Sequence, residues 1–470
     1  MVTRRVILKS SIMAGSIAAF SGTLPISAYA KPPLRTRRSL HNMALDDPDL
    51  ATYRDFVGIM KGKNQSDRVS WLGFSLQHGK YKVPYKYCPH GNWYFIPWHR
   101  EFVNMYENAA MELTGNKSFA MPYWDWTIDR ELPTAFSSRL YKGAPNPLYV
   151  PNRNYIDLPD DLVGPKVMEE IYSETLFEVF GTSRNPQQTD LDPSWVIAGG
   201  GVQGRLEATP HNNIHNRIGA YMPTAASPID PIFMMHHGNI DRIWAYWNAL
   251  GRTNSTADLW LNMPFEDNFI APNGDFYSAT VKNLQSTEAF GYTYPGLPAP
   301  DNKPIDESRH RNLLSLFSTS QTADNDLERM AVKNTKAASA LSHLNTSFSL
   351  ESLDIPSEPK EVFALIKDIK FDANILAVNV FVNSTKSSLD MHVSDLNFVT
   401  TIAFLSHEGS HHKMAPSAIV DLTTTLRALH ELGHIKTDEI SIQLVPVPQS
   451  GIALESAGTV VPASIEVVTF

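Results

Sequence analysis

Apolar residues recur at helical spacing through the first half of the chain. Leu50, Tyr53, Phe56 and Val57 share one face between Asp49 and Met60, which predicts a helix. The apolar run Trp71 to Gln77 delivers His78, and the Gly, Lys and Pro content of Gly79 to Pro89 marks a loop. Phe102, Met105, Tyr106 and Ala109 line one side of a strong helix from Trp98 to Leu113, stopped by Gly115-Asn116. The aromatic knot Met121 to Thr127 has no helical period. Residues 131–200 are rich in Pro, Asn and Asp and read as a long ordered insertion. It carries one helical patch near Val167 to Phe180 and a turn or hinge at Gly199-Gly200-Gly201. A histidine-bearing helix follows, then a Pro-rich return from Met222 to Pro231 and a helix from Pro231 to Leu250, ended by Gly251.

The pattern changes in the second half. From Asp301 the chain turns polar, with helical patches around Arg311 and Asp326 to Leu344, which predicts a linker packed on the surface. Beyond Ser347 the period becomes two. Phe348 to Leu353, Ile375 to Val382, Phe398 to Leu405, Ile440 to Val445 and Ile465 to Phe470 read as strands. The expected architecture is a mainly α domain over 31–300, built as a four-helix bundle around a metal site. A linker over 301–346 and a β-sandwich-like domain over 347–470 follow.

Composition narrows the function. With 470 residues, 43% hydrophobic and 19% charged, the chain has the make-up of an ordinary globular protein with more than one domain. A net charge of -9 argues against nucleic acid as a partner. One cysteine excludes an intramolecular disulfide framework and leaves Cys88 inert, metal-linked or modified.

Thr3-Arg4-Arg5-Val6-Ile7-Leu8-Lys9 is a twin-arginine pattern. A weakly apolar stretch and Ala28-Tyr29-Ala30 follow it, so residues 1–30 read as an export signal with a cleavage site. The stretch is too short and polar for a membrane span, and no stable membrane anchor is expected. The expected location is periplasmic or secreted, after export in a folded, cofactor-loaded state.

The chemistry lies in two histidine-rich stretches. Cys88 to Arg100 holds His90 and His99 among aromatics. Glu207 to His215 and Asp230 to Asp241 hold His211, His215, His236 and His237. His211 and His215 are four apart, on one helical face, and Asp241 stands one turn beyond His237. Lone buried histidines are usually core residues with their hydrogen bonds met. Six at metal-ligand spacings are not core filler, and they define a metal site. Imidazoles by themselves leave copper, zinc, iron and nickel open.

Two longer motifs choose among these. His90-x4-Phe95-Ile96-x-Trp98-His99-Arg100-x2-Val103-x3-Glu107 resembles the copper A signature of tyrosinases and polyphenol oxidases. Asp230-Pro231-x-Phe233-Met234-x2-His237-x3-Asp241 resembles their copper B signature. Ile369 to Asp372 and Ile440 to Pro446 are similar to the C-terminal domain of plant-type enzymes. The resemblance implies two copper ions, held by His78, His90 and His99 at copper A and by His211, His215 and His237 at copper B. His236 is then a packing or supporting residue. His41 and His310 carry no motif and read as surface residues.

The resemblance also implies a thioether between Cys88 and His90. It makes Glu207 and Asn212 the pair that polarises a water able to take a phenol proton. Glu207 equally suits a helix start, where a carboxylate complements the dipole. Thr224 falls where plant catechol oxidases often carry a bulky gate residue, so the resemblance leaves room here for a monophenol. The implied activity is oxidation of small phenols by dioxygen, hydroxylating monophenols and converting o-diphenols to o-quinones. A catechol oxidase and a haemocyanin-like oxygen carrier are the alternatives. A copper chaperone is an expected transient partner. The C-terminal domain is expected to shield the site, with Leu405 to Met414 as its plug. One rival motif is His430-Glu431-Leu432-Gly433-His434, a literal H-E-x-x-H. Gly433 reads as a helix C-cap that puts His434 beyond the helix, which argues against a zinc protease.

Overall fold

The computed structural model describes residues 33–80, 86–154, 156–317, 328–331, 346–351, 361–405, 415–434, 439–449 and 451–469, with 328–331 and 346–351 as backbone. The export segment 1–30, linker residues 318–327 and 332–345, and residues 406–414 of the expected plug lie outside the described residues.

The predicted helices are present. Pro48–Gly62 is capped by Asp47, whose side chain accepts from the Asp49 N–H, and Trp71–His78 is capped by Ser70, which accepts from the Gly73 N–H. Phe95–Thr114 ends at Gly115, whose φ of 75° suits only a left-handed C-cap. Ile232–Ala249 packs against Phe95–Thr114. The histidine helix is more irregular than expected. A π-turn over Glu207–His211 contains Pro210 and runs into the α-helix Asn212–Ile218. Proline lacks the N–H that an α-turn needs there, which accounts for the wider turn. The single patch expected at 167–180 is two short helices, Pro165–Ser173 and Phe177–Phe180.

Residues 33–45, basic and polar in sequence, are partly core. Arg35–Thr36 pairs in parallel with Tyr292–Thr293. The Arg37 side chain is fully buried between Glu107, at 2.8 Å, and Asp241, at 3.1 Å. Arg100 reaches the other Asp241 oxygen at 2.5 Å, and the Tyr292 and Tyr294 hydroxyls donate to Asp241. This buried cluster ties together the helices that carry His99 and His237.

The C-terminal half is a two-sheet β domain. One sheet runs in the order 202–203, 417–421, 362–367, 464–469, 328–331, and the other 398–402, 375–382, 439–448, 346–351. Ala364, Ile366, Ile465 and Val467 share one core with Val378, Val380, Ile442 and Leu444. Val362–Lys367 escaped sequence reading because both its faces are buried. Ala364 and Ile366 face that core, while Phe363 and Leu365 pack with Leu176, Val179 and Leu313. A strand buried on both sides has no alternation to detect.

Two expectations about the linker change. Glu307–Leu316 is a helix as expected, but Leu313 and Leu316 are buried between the helical and β domains. Glu328–Ala331 is an edge strand where a helical patch was expected. In the other direction, Val202–Gln203 of the helical domain pairs in parallel with Ser417–Ala418. The helical domain thus contributes a strand to the β domain's sheet, and the linker a helix between the two and a second strand. No described helix is long and apolar enough to cross a membrane.

Candidate metal centre

Two groups of imidazoles meet between the helices. His78 is the last residue of Trp71–His78, His90 lies in the loop before Phe95, and His99 sits one turn into Phe95–Thr114. Their ring centroids lie 5.3 to 5.8 Å apart. His211, His215 and His237 form the second group at 4.6 to 5.3 Å. The groups face each other directly. His99 stacks on His237 at 4.3 Å and His90 on His211 at 5.5 Å. Phe95 and Phe233 close the sides, at 4.5 Å from His211 and 4.0 Å from His237.

Hydrogen bonds choose which nitrogen faces inward. Nδ1 of His78 donates to the Ala225 carbonyl, Nδ1 of His99 to Phe95, and Nδ1 of His215 to Met222, each at 2.7 Å. Nδ1 of His211 donates instead to the side-chain Oδ1 of Asn212, at 2.9 Å. Each bond leaves Nε2 as the lone pair for a metal. The Nε2 atoms of His215 and His237 stand 3.1 Å apart, and the buried Nε2 of His211 has no hydrogen-bond partner. Burial, strongest among the causes, lowers His99 to about 3 and His215 to about 4 and pushes His211 and His237 well down. Neutral imidazole is the ligand form, and these converging nitrogens fit metal ions.

His236 belongs to the second group by distance, 4.9 Å from His215 and stacked 5.4 Å from His211. Cys88 belongs to the first, with Sγ 3.4 Å from His90 Nδ1 and 3.2 Å from the ligand-side Nε2 of His99. Burial, with the Glu207 charge second, pushes its thiol well above the usual range. We expect this sulfur to form the thioether to a ring carbon of His90, losing two hydrogens to dioxygen and leaving the face of His99. The Cys88–His90 peptide of copper-loaded wild type should weigh two hydrogens less than its sequence, and Cys88→Ser should carry no cross-link. An intact free thiol in the loaded protein would refute the bond.

Glu207 is fully buried, with Oε1 accepting the Gly91 N–H at 2.8 Å and Oε2 bonded to the Thr182 hydroxyl. Burial raises its pKa to about 7 against those two bonds. The Asn212 N–H donates to the Glu207 carbonyl, but the two side chains are not hydrogen-bonded to each other. Asn212 Nδ2 donates to Gln203 Oε1 at 3.1 Å and to the Ala403 carbonyl of the β domain at 2.8 Å. Thr224 is half-buried, and its hydroxyl donates to the Tyr221 carbonyl. It stands in the turn whose Met222 and Ala225 carbonyls hold His215 and His78. His41 is exposed beside Asp129, whereas His310, expected at the surface, is half-buried against Thr175.

The glycine turn is a close approach, not a hinge. Gly201 donates to the Gly91 carbonyl at 2.7 Å, and a Cβ on Gly201 would lie 2.2 Å from the Ser183 carbonyl oxygen. The rival H-E-x-x-H motif is taken apart by its own helix. Thr423–Glu431 ends before Gly433, with φ 69°, and His430, Glu431 and His434 are all exposed.

Sequence reasoning missed Thr182, Gln203, Arg37 and Ala403. None has a local signal: Thr182, Arg37 and Ala403 act on the site from distant segments, and Gln203 stands on a strand that pairs with residues 417–418.

A mainly helical core that brings two sets of buried, neutral imidazoles face to face defines a protein built to hold two metal ions. The common central domain of tyrosinase matches residues 53–194 and 160–250, and the chloroplastic polyphenol oxidase C-terminal domain matches 347–463. The chain belongs to the tyrosinase and polyphenol oxidase family, with two type 3 copper ions as its cofactors.

Among relatives, it is 24% identical to tyrosinase HcTyr1 of Hahella sp. (strain CCB-MM4), over 88% of this chain and 95% of that one. It is 25% identical to the chloroplastic catechol oxidase B of Solanum tuberosum, over 91% and 77%. In fold it is similar to latent aurone synthase (polyphenol oxidase), with a TM-score of 0.65 and 19% identity over 93% and 90%. Latent apple tyrosinase gives 0.63 and 21% over 94% and 98%.

Proposed function

We propose that this enzyme hydroxylates monophenols ortho to their hydroxyl and oxidises o-diphenols to o-quinones. The observation that carries the reading is Glu207, a buried base beside the copper ligands. When bound, the copper ions supply dioxygen activation and accept electrons from the phenol. The protein must supply the acid–base work. A phenol with a pKa of about 10 binds metal well only after losing its proton. Glu207, near 7, is partly carboxylate at neutral pH, and cations bound nearby favour that form further. The Gly91 N–H and the Thr182 hydroxyl hold both its oxygens, and Gly91 follows the ligand His90. A water between Glu207 and the substrate could pass the proton to it. The small Thr224 leaves room for the ring in this reading. A relative named tyrosinase supports it.

The second reading is diphenol oxidation alone, and a relative named catechol oxidase supports it. It is favoured by Asn212, whose amide hydrogens are both engaged and not offered to a water. Paired assays with a monophenol and a catechol decide between the two. Asn212→Ala, compared with wild type at matched copper content, should depress monophenol turnover several-fold more than catechol turnover. A catechol ionises more readily and needs the base less. Equal losses would confine Asn212 to supporting His211. Reversible dioxygen binding without turnover of either substrate would point to a carrier.

We also infer twin-arginine export from Arg4-Arg5 and Ala28-Tyr29-Ala30. The C-terminal domain reads as a shield. Ala403 N–H donates to Ala208 in the π-turn at 2.7 Å, and Asn216 donates to the Leu376 and Phe404 carbonyls. The plug itself, expected at 405–414, falls almost wholly outside the described residues.

A further inference from the structure

We infer that Gln203 is a positioning residue for copper B, acting through Asn212 on the tautomer of His211. The inference rests on the copper B assignment above and concerns how one ligand of that site is held.

His211 differs from three of its fellow ligands. His78, His99 and His215 each donate Nδ1–H to a main-chain carbonyl, which can only accept. His211 relies on a side-chain amide. An amide has the same shape after a half-turn about its last bond. Turned over, Asn212 would present NH2 to Nδ1 of His211. The ring proton would then move to Nε2, the nitrogen that must face copper. Something has to hold the amide one way round.

Two acceptors do so. Gln203 Oε1 and the Ala403 carbonyl both receive Asn212 Nδ2. Flipping the amide would aim an oxygen at two oxygens and leave buried groups unpaired, which is costly away from water. Gln203 is itself buried, and its backbone is held on both sides. Its strand pairs with Ser417–Ala418 and bridges to Thr182, the residue bonded to Glu207. Both acceptors therefore depend on the C-terminal domain. One is its own backbone, and the other stands on a strand that its sheet holds. By this route the β domain is part of the copper B site and not only its cover.

The test uses the full-length protein. In apoprotein labelled with 15N-histidine, with the His211 signal assigned by its loss in His211→Gln, wild-type His211 should be the Nδ1–H tautomer. Gln203→Met should give a mixture of tautomers and lose copper B to a chelator about tenfold faster. Gln203→Glu, which keeps an acceptor, should behave as wild type in both measurements. If Gln203→Met does not fold, the wild-type tautomer decides alone: His211 protonated at Nε2 overturns the proposal. A folded Gln203→Met with a pure Nδ1–H His211 and wild-type copper release overturns it too. Copper counting on the wild type separates this from the parent reading, since fewer than two ions per chain would count against the dicopper assignment itself.

Discussion

His215→Ala protein should purify with copper at the A site alone and oxidise neither monophenols nor catechols above background. His215 supplies one of the two Nε2 atoms that stand 3.1 Å apart, and its Nδ1 is bonded to the Met222 carbonyl. Alanine removes the ligand and leaves His237 and His211 without the third imidazole of their group. His211→Ala should do the same, since its ring is in contact with His215, His237 and, across the centre, His90. Metal analysis reads the copper content, and paired phenol and catechol assays read the activity. Two tightly held coppers and full turnover in either variant would remove these residues from the site.

Asp241→Ala should be the most destabilising single change outside the ligands. Asp241 is buried and accepts from Arg37, Arg100, Tyr292 and Tyr294. Without it two buried guanidinium groups lose their shared counter-charge, a loss of about 3–5 kcal/mol for a broken buried pair. Arg100 follows His99 and Asp241 lies one turn past His237, so the same loss should loosen the spacing between the two copper groups. Urea unfolding of apoprotein and holoprotein measures the first effect, and copper retention the second. Burial would raise the Asp241 carboxyl, but Arg100 and Arg37 hold it below the ordinary carboxylate range. Its stabilising contribution is therefore complete above the ordinary carboxylate pKa and fades as pH falls through the lower folded value. Wild type should lose that contribution in acid, and the variant has none to lose. A variant with the wild-type urea midpoint would show that the cluster adds nothing net.

The two histidine groups were legible because most of their members stand close together in sequence. His211 and His215 share a helical face by spacing alone, and the two long motifs around His99 and His237 specify both the ligand and its neighbours. The π-turn was not predicted as such, although Pro210 in mid-helix was its visible cause. In the β domain, strands with one wet face announced themselves by alternation, whereas Val362–Lys367 and Ser417–Asp421 did not. Val362–Lys367 lies under two cores at once. The boundary at 301–346 read as a linker because its composition is polar, yet a few buried leucines sufficed to wedge its helix between the domains.

The sequence by itself determined the residues able to bind copper, the order of helices that carries them and the change to a β domain near residue 347. Those features depend on spacing within one or two turns or on the period of a single strand. Tertiary structure decided everything that needs two distant segments to meet. It placed Arg37 under Asp241, the Gly91 N–H and the Thr182 hydroxyl on Glu207, and Gln203 with Ala403 on Asn212. Those pairings join residues 25 to more than 200 positions apart, or, for Gln203 and Asn212, depend on a strand held by residues 417–418. A hydrogen bond between such partners leaves no periodic trace in either segment. It exists only because burial has removed water and each polar group has to find its partner within the fold.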